Sequence, residues 1–126
     1  MRLPLDTRVF VWWYTGDERL GRRAWEAVAD PANEVPVSAV VVWEIAVKRA
    51  LGRMRFDGAV ERAVAGEGFL PLPVTPRHAE PVGTLPHHHG DPFDRLLLAH
   101  AQAESMTLIT QDAQPRACEG VALLET

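Results

Sequence analysis

Residues 34–51 read EVPVSAVVVWEIAVKRAL, an apolar stretch that changes character once along its length. Glu34–Ser38 is short and rich in valine, which suits a strand. Ala39–Leu51 is long enough for three turns of helix and is followed by Gly52, a residue suited to a helix C-terminus. One residue breaks the apolar run. Glu44 stands between Val40, Val41, Val42 and Trp43 on one side and Ile45, Ala46 and Val47 on the other. Its i−4, i−3 and i+3 neighbours are Val40, Val41 and Val47, so it shares a face with them. A carboxylate on such a face costs several kcal/mol unless charged partners or a cation offset it. A salt bridge to Lys48 at i+4 is the plainer account, worth only about 0.3–0.5 kcal/mol on an exposed face. Both readings stand for Glu44 taken alone.

The strand-then-helix unit recurs outward from this stretch. Arg2–Asp6 reads as a first strand. Thr7–Tyr14 is rich in Val, Phe and Trp, but a strand of that length would bury Asp6 in mid-sheet, so a helix is expected after Asp6. Gly21–Ala29 reads as a helix stopped by Asp30–Pro31. Further on come a helix at Gly58–Ala65, a strand at Phe69–Leu72 and a short helix at Pro76–Leu85. Pro92–Ser105 is a helix, Thr107–Thr110 a strand, and Val121–Leu123 a last edge strand. Strands separated by helices imply an α/β fold with a mostly parallel sheet and helices on both faces. Pro4 and Pro36 fit poorly inside strands.

The totals agree with one compact domain over residues 1–126. Hydrophobic residues make up 47% and charged residues 24%, a globular balance. No apolar run reaches the roughly 18–20 residues of a membrane helix, and Arg2–Asp6 does not read as a signal peptide. Cys118 is alone, which excludes an internal disulfide and a cysteine-rich zinc site. A reducing cytoplasm is the expected setting. The net charge of −4 argues against a general nucleic-acid coat and leaves a nuclease open, because a nuclease gathers carboxylates at its metal site.

Four acids are placed alike by this layout. Ligands of open parallel sheets bind beyond the carboxyl ends of the strands. Asp6 closes the first strand, and Asp112 follows Leu108–Thr110. Glu44 and Asp94 lie early in helices that start at that edge. Each has an ordinary reading. Asp6 caps a helix, Asp112 sits in a turn, and Asp94 complements a helix dipole after an Asp91 N-cap and Pro92. Asp94 nevertheless shares a face with Leu97, Leu98 and Ala101. Two carboxylates about 4–5 Å apart repel by roughly 3–4 kcal/mol at an effective dielectric near 20. Four together therefore take up protons or hold a cation. An all-oxygen donor set suits Mg²⁺ or Mn²⁺, ions that support phosphoryl displacement.

Leu5-Asp6-Thr7, Val42-Trp43-Glu44-Ile45-Ala46-Val47-Lys48, Asp91-Pro92-Phe93-Asp94-Arg95-Leu96-Leu97 and Leu108-Ile109-Thr110-Gln111-Asp112 together resemble the PIN domain, and more narrowly the VapC toxins of bacterial toxin–antitoxin pairs. The resemblance runs over nearly the whole chain. It implies an α/β/α sandwich and a Mg²⁺- or Mn²⁺-dependent endoribonuclease whose acidic quartet is Asp6, Glu44, Asp94 and Asp112. It also implies an RNA substrate, a small antitoxin as inhibitor and a homodimer. Thr7 and Thr110 match positions whose hydroxyls support the acids, and Asp91 caps its helix. Arg8 stands where many relatives have His, and Pro4 replaces an aliphatic strand residue. The alternatives are a PIN nuclease with a housekeeping role and a catalytically silent module on the same fold. A phosphotransfer domain ranks last, since no Asp-x-Asp follows the first strand.

Other features carry less. His87, His88 and His89 are neighbours that cannot easily all face one zinc ion, and a solvated loop beside the site is the simpler reading. Trp12, Trp13 and Tyr14 suit stacking on bases or packing in a core, and Trp12 and Trp13 are expected to line a partner groove for the antitoxin. Lys48, Arg49 and Arg95, with Arg53 and Arg55 further along, are candidate RNA contacts or simply a solvated basic face.

Overall fold

The computed structural model describes residues 1–85 and 91–110 in full and the backbone of 122–125. Six α-helices occur among them: α1 (Thr7–Thr15), α2 (Arg22–Ala29), α3 (Ala39–Ala50), α4 (Val60–Gly66), α5 (Pro76–Ala79) and α6 (Pro92–Ala103). The strands are β1 (Pro36–Ser38), β2 (Leu70–Leu72), β3 (Thr107–Thr110) and β4 (Ala122–Glu125). β1 pairs in parallel with β2, and β3 in parallel with β4.

The expected first strand is present only as extended chain. Arg2 and Leu5 make single parallel bridges to Glu34 and Ile109. The backbone bonds show why. Leu3 N–H donates to Glu34 and Glu34 N–H to Met1. On the other side, Thr107 N–H donates to Arg2, Ile109 N–H to Pro4, and Asp6 N–H to Ile109. Residues 1–6 thus stitch β1 to β3, turning alternate residues to each neighbour. Pro4 and Pro36 lack the N–H that the ladder needs at those positions, so the pairing never becomes continuous. The order across the sheet is β2, β1, residues 1–6, β3, β4, all parallel, with β4 at one side.

The remaining expectations hold within a residue or two, apart from 76–85. Thr7–Thr15 is helical in spite of its β-favouring side chains. Asp6 caps it by accepting from Val9 N–H at 2.8 Å, and burial of Val9, Phe10 and Trp12 outweighs propensity. Gly16 closes it in the left-handed region, φ 68°. The expected helix over 76–85 divides into α5 and a 3₁₀ turn at Glu80–Thr84, with Pro81 near the join.

A main core joins most of the pieces, and a smaller cluster gathers Leu85, Leu98, Ala99, Ala101 and Leu108. In the main core, Leu3, Leu5, Val37, Val41, Ile45, Leu97 and Ile109 are buried with Val9 and Phe10 of α1. Trp12 belongs to this core at 9% exposure, which corrects the expectation that it faces a partner. Trp13 is half-buried and lies against Trp25 and Phe69 at 5.9 and 6.2 Å between ring centroids. Both indoles serve the attachment of α1 to its neighbours. No described helix is long and apolar enough to cross a membrane.

Candidate active site

Asp6 lies where the extended segment turns into α1, and both its oxygens are engaged. Oδ1 accepts from Val9 N–H at 2.8 Å and Oδ2 from the Thr110 hydroxyl at 2.6 Å. Thr110 ends β3, so two adjacent segments of the sheet fix one carboxylate. Glu44 is buried in α3, and its oxygens are likewise divided. Oε1 accepts from the Thr7 hydroxyl at 2.5 Å, and Oε2 pairs with the Lys48 ammonium at 2.5 Å. The salt bridge foreseen as the plain reading of Glu44 is therefore real. It is not an exposed one, since the Glu44 side chain is 6% exposed and Lys48 33%.

Asp91 is the N-cap of α6, accepting from the N–H groups of Phe93 at 2.8 Å and Asp94 at 3.2 Å. This cap and Pro92 set the helix start. Asp94, half-buried in the first turn, is thereby aimed toward α1 and α3. Asp6, Glu44, Asp91 and Asp94 line one pocket of about 110 Å³, together with Thr7, Arg8 and Lys48. Three members of the expected quartet are thus brought together from three elements. Asp112 lies outside the described residues, as do His87, His88 and His89.

The expected RNA contacts fare differently. Lys48 lines the pocket. Arg49 donates to the carbonyls of Phe56 at 3.1 Å and Gly58 at 2.8 Å, fastening α3 to the loop that follows. Arg95 corrects the expectation. It is 9% exposed and donates to the carbonyls of Val82 and Leu85 at 2.7 and 3.1 Å, so it holds α6 against the 3₁₀ turn. In a helix, successive residues point about 100° apart, so adjacency to Asp94 in sequence does not bring Arg95 to the same pocket. Arg8 was read only as a departure from the family pattern, yet it lines the pocket and is exposed. Its position one helical residue beyond Thr7 was the available signal.

A second titratable cluster, which sequence reading missed, lies at the other end of α6. His78 and His100 are buried with ring centroids 4.0 Å apart, and Glu104 joins them. Thr75 N–H donates to His78 Nδ1 at 3.0 Å, which places the ring hydrogen on Nε2, facing Glu104 Oε1 at 2.8 Å. That tautomer leaves no Nε2 lone pair for a cation, so the cluster is a polar joint between α5 and α6. His100 Nδ1 meets Ser38 Oγ at 3.0 Å. Burial, then the adjacent His78, depress the His100 pKa to about 4.

The PIN-domain family model matches residues 4–119. The chain belongs to the PIN-domain family, and its likeness within that family runs to the VapC proteins. Ribonuclease VapC22 of Mycobacterium tuberculosis is 30% identical over 115 residues, covering 89% of this chain and 88% of the relative. A chain in the crystal structure of VapBC2 from Rickettsia felis, bound to a DNA fragment from the promoter, matches with a TM-score of 0.70. It is 17% identical and covers 99% of this chain and 98% of its own. A chain of VapBC-1 from nontypeable Haemophilus influenzae matches with a TM-score of 0.66 at 16% identity, with the same coverage. At such identities the structures establish the fold, an α/β/α sandwich of the PIN kind.

Proposed function

We propose that this chain is a divalent-metal-dependent endoribonuclease acting as the toxin of a VapBC-type pair. The carrying observation is the convergence of Asp6, Glu44 and Asp94 on one pocket, with Asp6 and Glu44 each oriented by a threonine hydroxyl. The relative's printed name, a ribonuclease, supports the activity. The structural neighbours include toxin–antitoxin complexes, which supports a protein partner.

The donor set fits a hard cation. It is all oxygen among the described residues, and Asp112 is proposed as its fourth member. Asp6, Glu44 and Asp94 would hold Mg²⁺ or Mn²⁺. When bound, such an ion supplies charge neutralisation and activation of water for phosphodiester hydrolysis. Thr110 and Thr7 hold their carboxylates in place, which lowers the reorganisation needed on binding. Lys48 balances Glu44 in the metal-free protein. With Arg8 it puts positive charge at the pocket mouth, where a phosphate must approach a concentration of acids. Asp91 fixes the start of α6 and so the direction of Asp94.

The antitoxin surface moves from Trp12 and Trp13 to the apolar groove between α3, α4 and β2, lined by Val42, Ala46, Val64, Leu72 and Pro73. An exposed apolar groove of this kind marks a partner site.

Cleavage of a single-stranded RNA by tag-free protein tests the activity. It should require Mg²⁺ or Mn²⁺, stop with EDTA, and vanish in Asp6→Asn and Asp94→Asn. Undiminished cleavage by metal-stripped protein overturns the reading. Growth arrest on expression, relieved by Asp94→Asn, tests the toxin role. Harmless expression of a protein that cleaves RNA in vitro would leave the nuclease and remove the toxin.

A further inference from the structure

Two aromatic rings meet between α3 and α6: Trp43, which lines the apolar groove, and Phe93, which packs against the core. Trp43, the residue before Glu44, is 48% exposed. Phe93, the residue before Asp94, is half-buried. Their ring centroids are 4.5 Å apart with planes inclined at 61°, an edge-to-face pair. Lys48 Nζ lies 5.9 Å from the Phe93 ring centroid and 2.5 Å from Glu44 Oε2. A continuous path of contacts therefore leads from the exposed indole to the acids: Trp43, Phe93, Lys48, Glu44.

We infer that Trp43, braced by Phe93, is a nucleobase-stacking subsite for a nucleotide flanking the scissile phosphate. The inference rests on the ribonuclease reading and specifies how the substrate is held.

Three features of the arrangement carry it. First, the platform is built on two helices. Trp43 sits in the middle of α3, and Phe93 sits in the first turn of α6 with its N–H bound to Asp91 Oδ1 at 2.8 Å. Rigid aromatic faces bind bases with little loss of conformational freedom. Second, the edge-to-face brace leaves an indole face available, because Phe93 meets Trp43 at an angle and does not cover it by stacking. Third, Lys48 provides positive charge between platform and pocket, where the sugar–phosphate chain of a bound strand must pass. Aromatic platforms joined to a cationic track are the general device for holding single strands, and they tolerate any base because every base has a π-face. The substrate expected is thus RNA with an unpaired nucleotide next to the cleaved bond. Trp43 also lines the apolar groove, so a protein seated in that groove would cover the platform and exclude RNA from it.

The test pairs a protein change with a substrate change. Wild-type protein, Trp43→Ala and Trp43→Phe are compared on a short single-stranded RNA and on the same RNA carrying an abasic residue beside the cleaved bond. For Trp43→Ala, kcat/KM on the intact RNA should fall about 10-fold to 100-fold, chiefly through KM. Trp43→Phe should recover most of the loss. The abasic RNA should be a poor substrate for wild-type protein, and Trp43→Ala should make it no worse. Equal losses from Trp43→Ala on both RNAs, with an unchanged melting temperature, would overturn the stacking role. So would unaltered cleavage combined with weakened binding of the antitoxin, which would assign Trp43 to the protein partner. Absence of RNA cleavage by the wild-type protein would instead reject the ribonuclease reading on which the platform depends.

Discussion

The Thr110 hydroxyl donates to Asp6 Oδ2 at 2.6 Å, joining residues 104 positions apart in the chain. This bond sets the rotation of a carboxylate that is 9% exposed. Replacing Thr110 by Val keeps the shape and removes the donor. Oriented partners of metal-binding groups affect metal affinity by roughly 10- to 100-fold. Thr110→Val should therefore raise the Mg²⁺ concentration at half-maximal cleavage by about that factor, at a stability cost of about 1–2 kcal/mol. A magnesium titration of the cleavage rate, beside a denaturant melt, checks both parts. An unchanged magnesium requirement would remove Thr110 from the site.

On the proposed reading, Lys48 and a divalent cation would compete for Glu44. In the metal-free protein the ammonium offsets the charge of a carboxylate that is 6% exposed. Lys48→Met should lower metal-free stability by about 2 kcal/mol, less than for a fully buried pair because Lys48 is partly solvated. The rise in melting temperature on adding Mg²⁺ should be larger in the variant, since no ammonium has to give way. Melts with EDTA and with Mg²⁺ decide it. A smaller rise would mean that Lys48 supports the cation and does not compete with it.

The sequence showed the site better than it showed the sheet. The candidate acids were legible because Asp6 and Asp94 stand at helix starts and Glu44 interrupts an apolar helix face, and the parallel layout sends such positions to one edge. Their convergence follows from topology and needs no side-chain detail. The interrupted first strand was less legible. Pro4 and Pro36 are plain in the sequence, but which ladder bonds they delete depends on which neighbour each residue faces. Arg95 and Trp12 were misassigned for one reason: proximity in sequence to a site residue or to other aromatics does not say which side of a helix a side chain occupies. In the His78–His100–Glu104 joint only the i,i+4 spacing of His100 and Glu104 is local, and His78 joins them because α5 and α6 meet only in the folded chain.

Ala46 offers a clean probe of the partner groove. It is exposed and lies two residues from Glu44, about 200° around α3. Ala46→Arg puts a long cation into the apolar groove without entering the acidic pocket. Cleavage of RNA should remain within about twofold of wild type, while inhibition by the antitoxin should be lost, since an unpaired charge in such an interface costs several kcal/mol. Titration of antitoxin into the cleavage reaction reads both. Full inhibition of Ala46→Arg would place the antitoxin elsewhere.

His100 should make stability fall in mildly acid solution. Its folded pKa of about 4 lies below the ordinary 6.5, first through burial and then through His78, with Arg2 and Arg77 adding to the effect and Glu104 opposing it. As pH falls, the unfolded chain takes up the proton first. The contribution is complete above about pH 6.5, is lost progressively toward pH 4 and changes little below that. The span corresponds to about 3 kcal/mol. His100→Gln keeps a polar group near Ser38 and does not titrate, so its stability should vary less between pH 6.5 and 4. Parallel pH profiles for the two proteins would refute the assignment.

Asp91 and Asp94 share a pocket but should separate by mechanism. Asp91 accepts two backbone N–H bonds at the start of α6, and Asp94 accepts neither of them. Asp91→Asn retains a capping oxygen and removes a charge, whereas Asp91→Ala removes both. The alanine variant should lose about 1 kcal/mol of stability, and the asparagine variant should stay close to wild type. Because Asp91 also lines the pocket, the asparagine variant isolates any role of its charge. Cleavage by Asp91→Asn should fall only modestly if that role is the cap. Asp94→Asn should abolish cleavage and leave metal-free stability unchanged or slightly higher, since like charges then repel less. The melting-temperature rise with Mg²⁺ should shrink in Asp94→Asn and persist in both Asp91 variants. The reverse pattern, with cleavage lost in Asp91→Asn and kept in Asp94→Asn, would move the metal-holding carboxylate from the first turn of α6 to its cap.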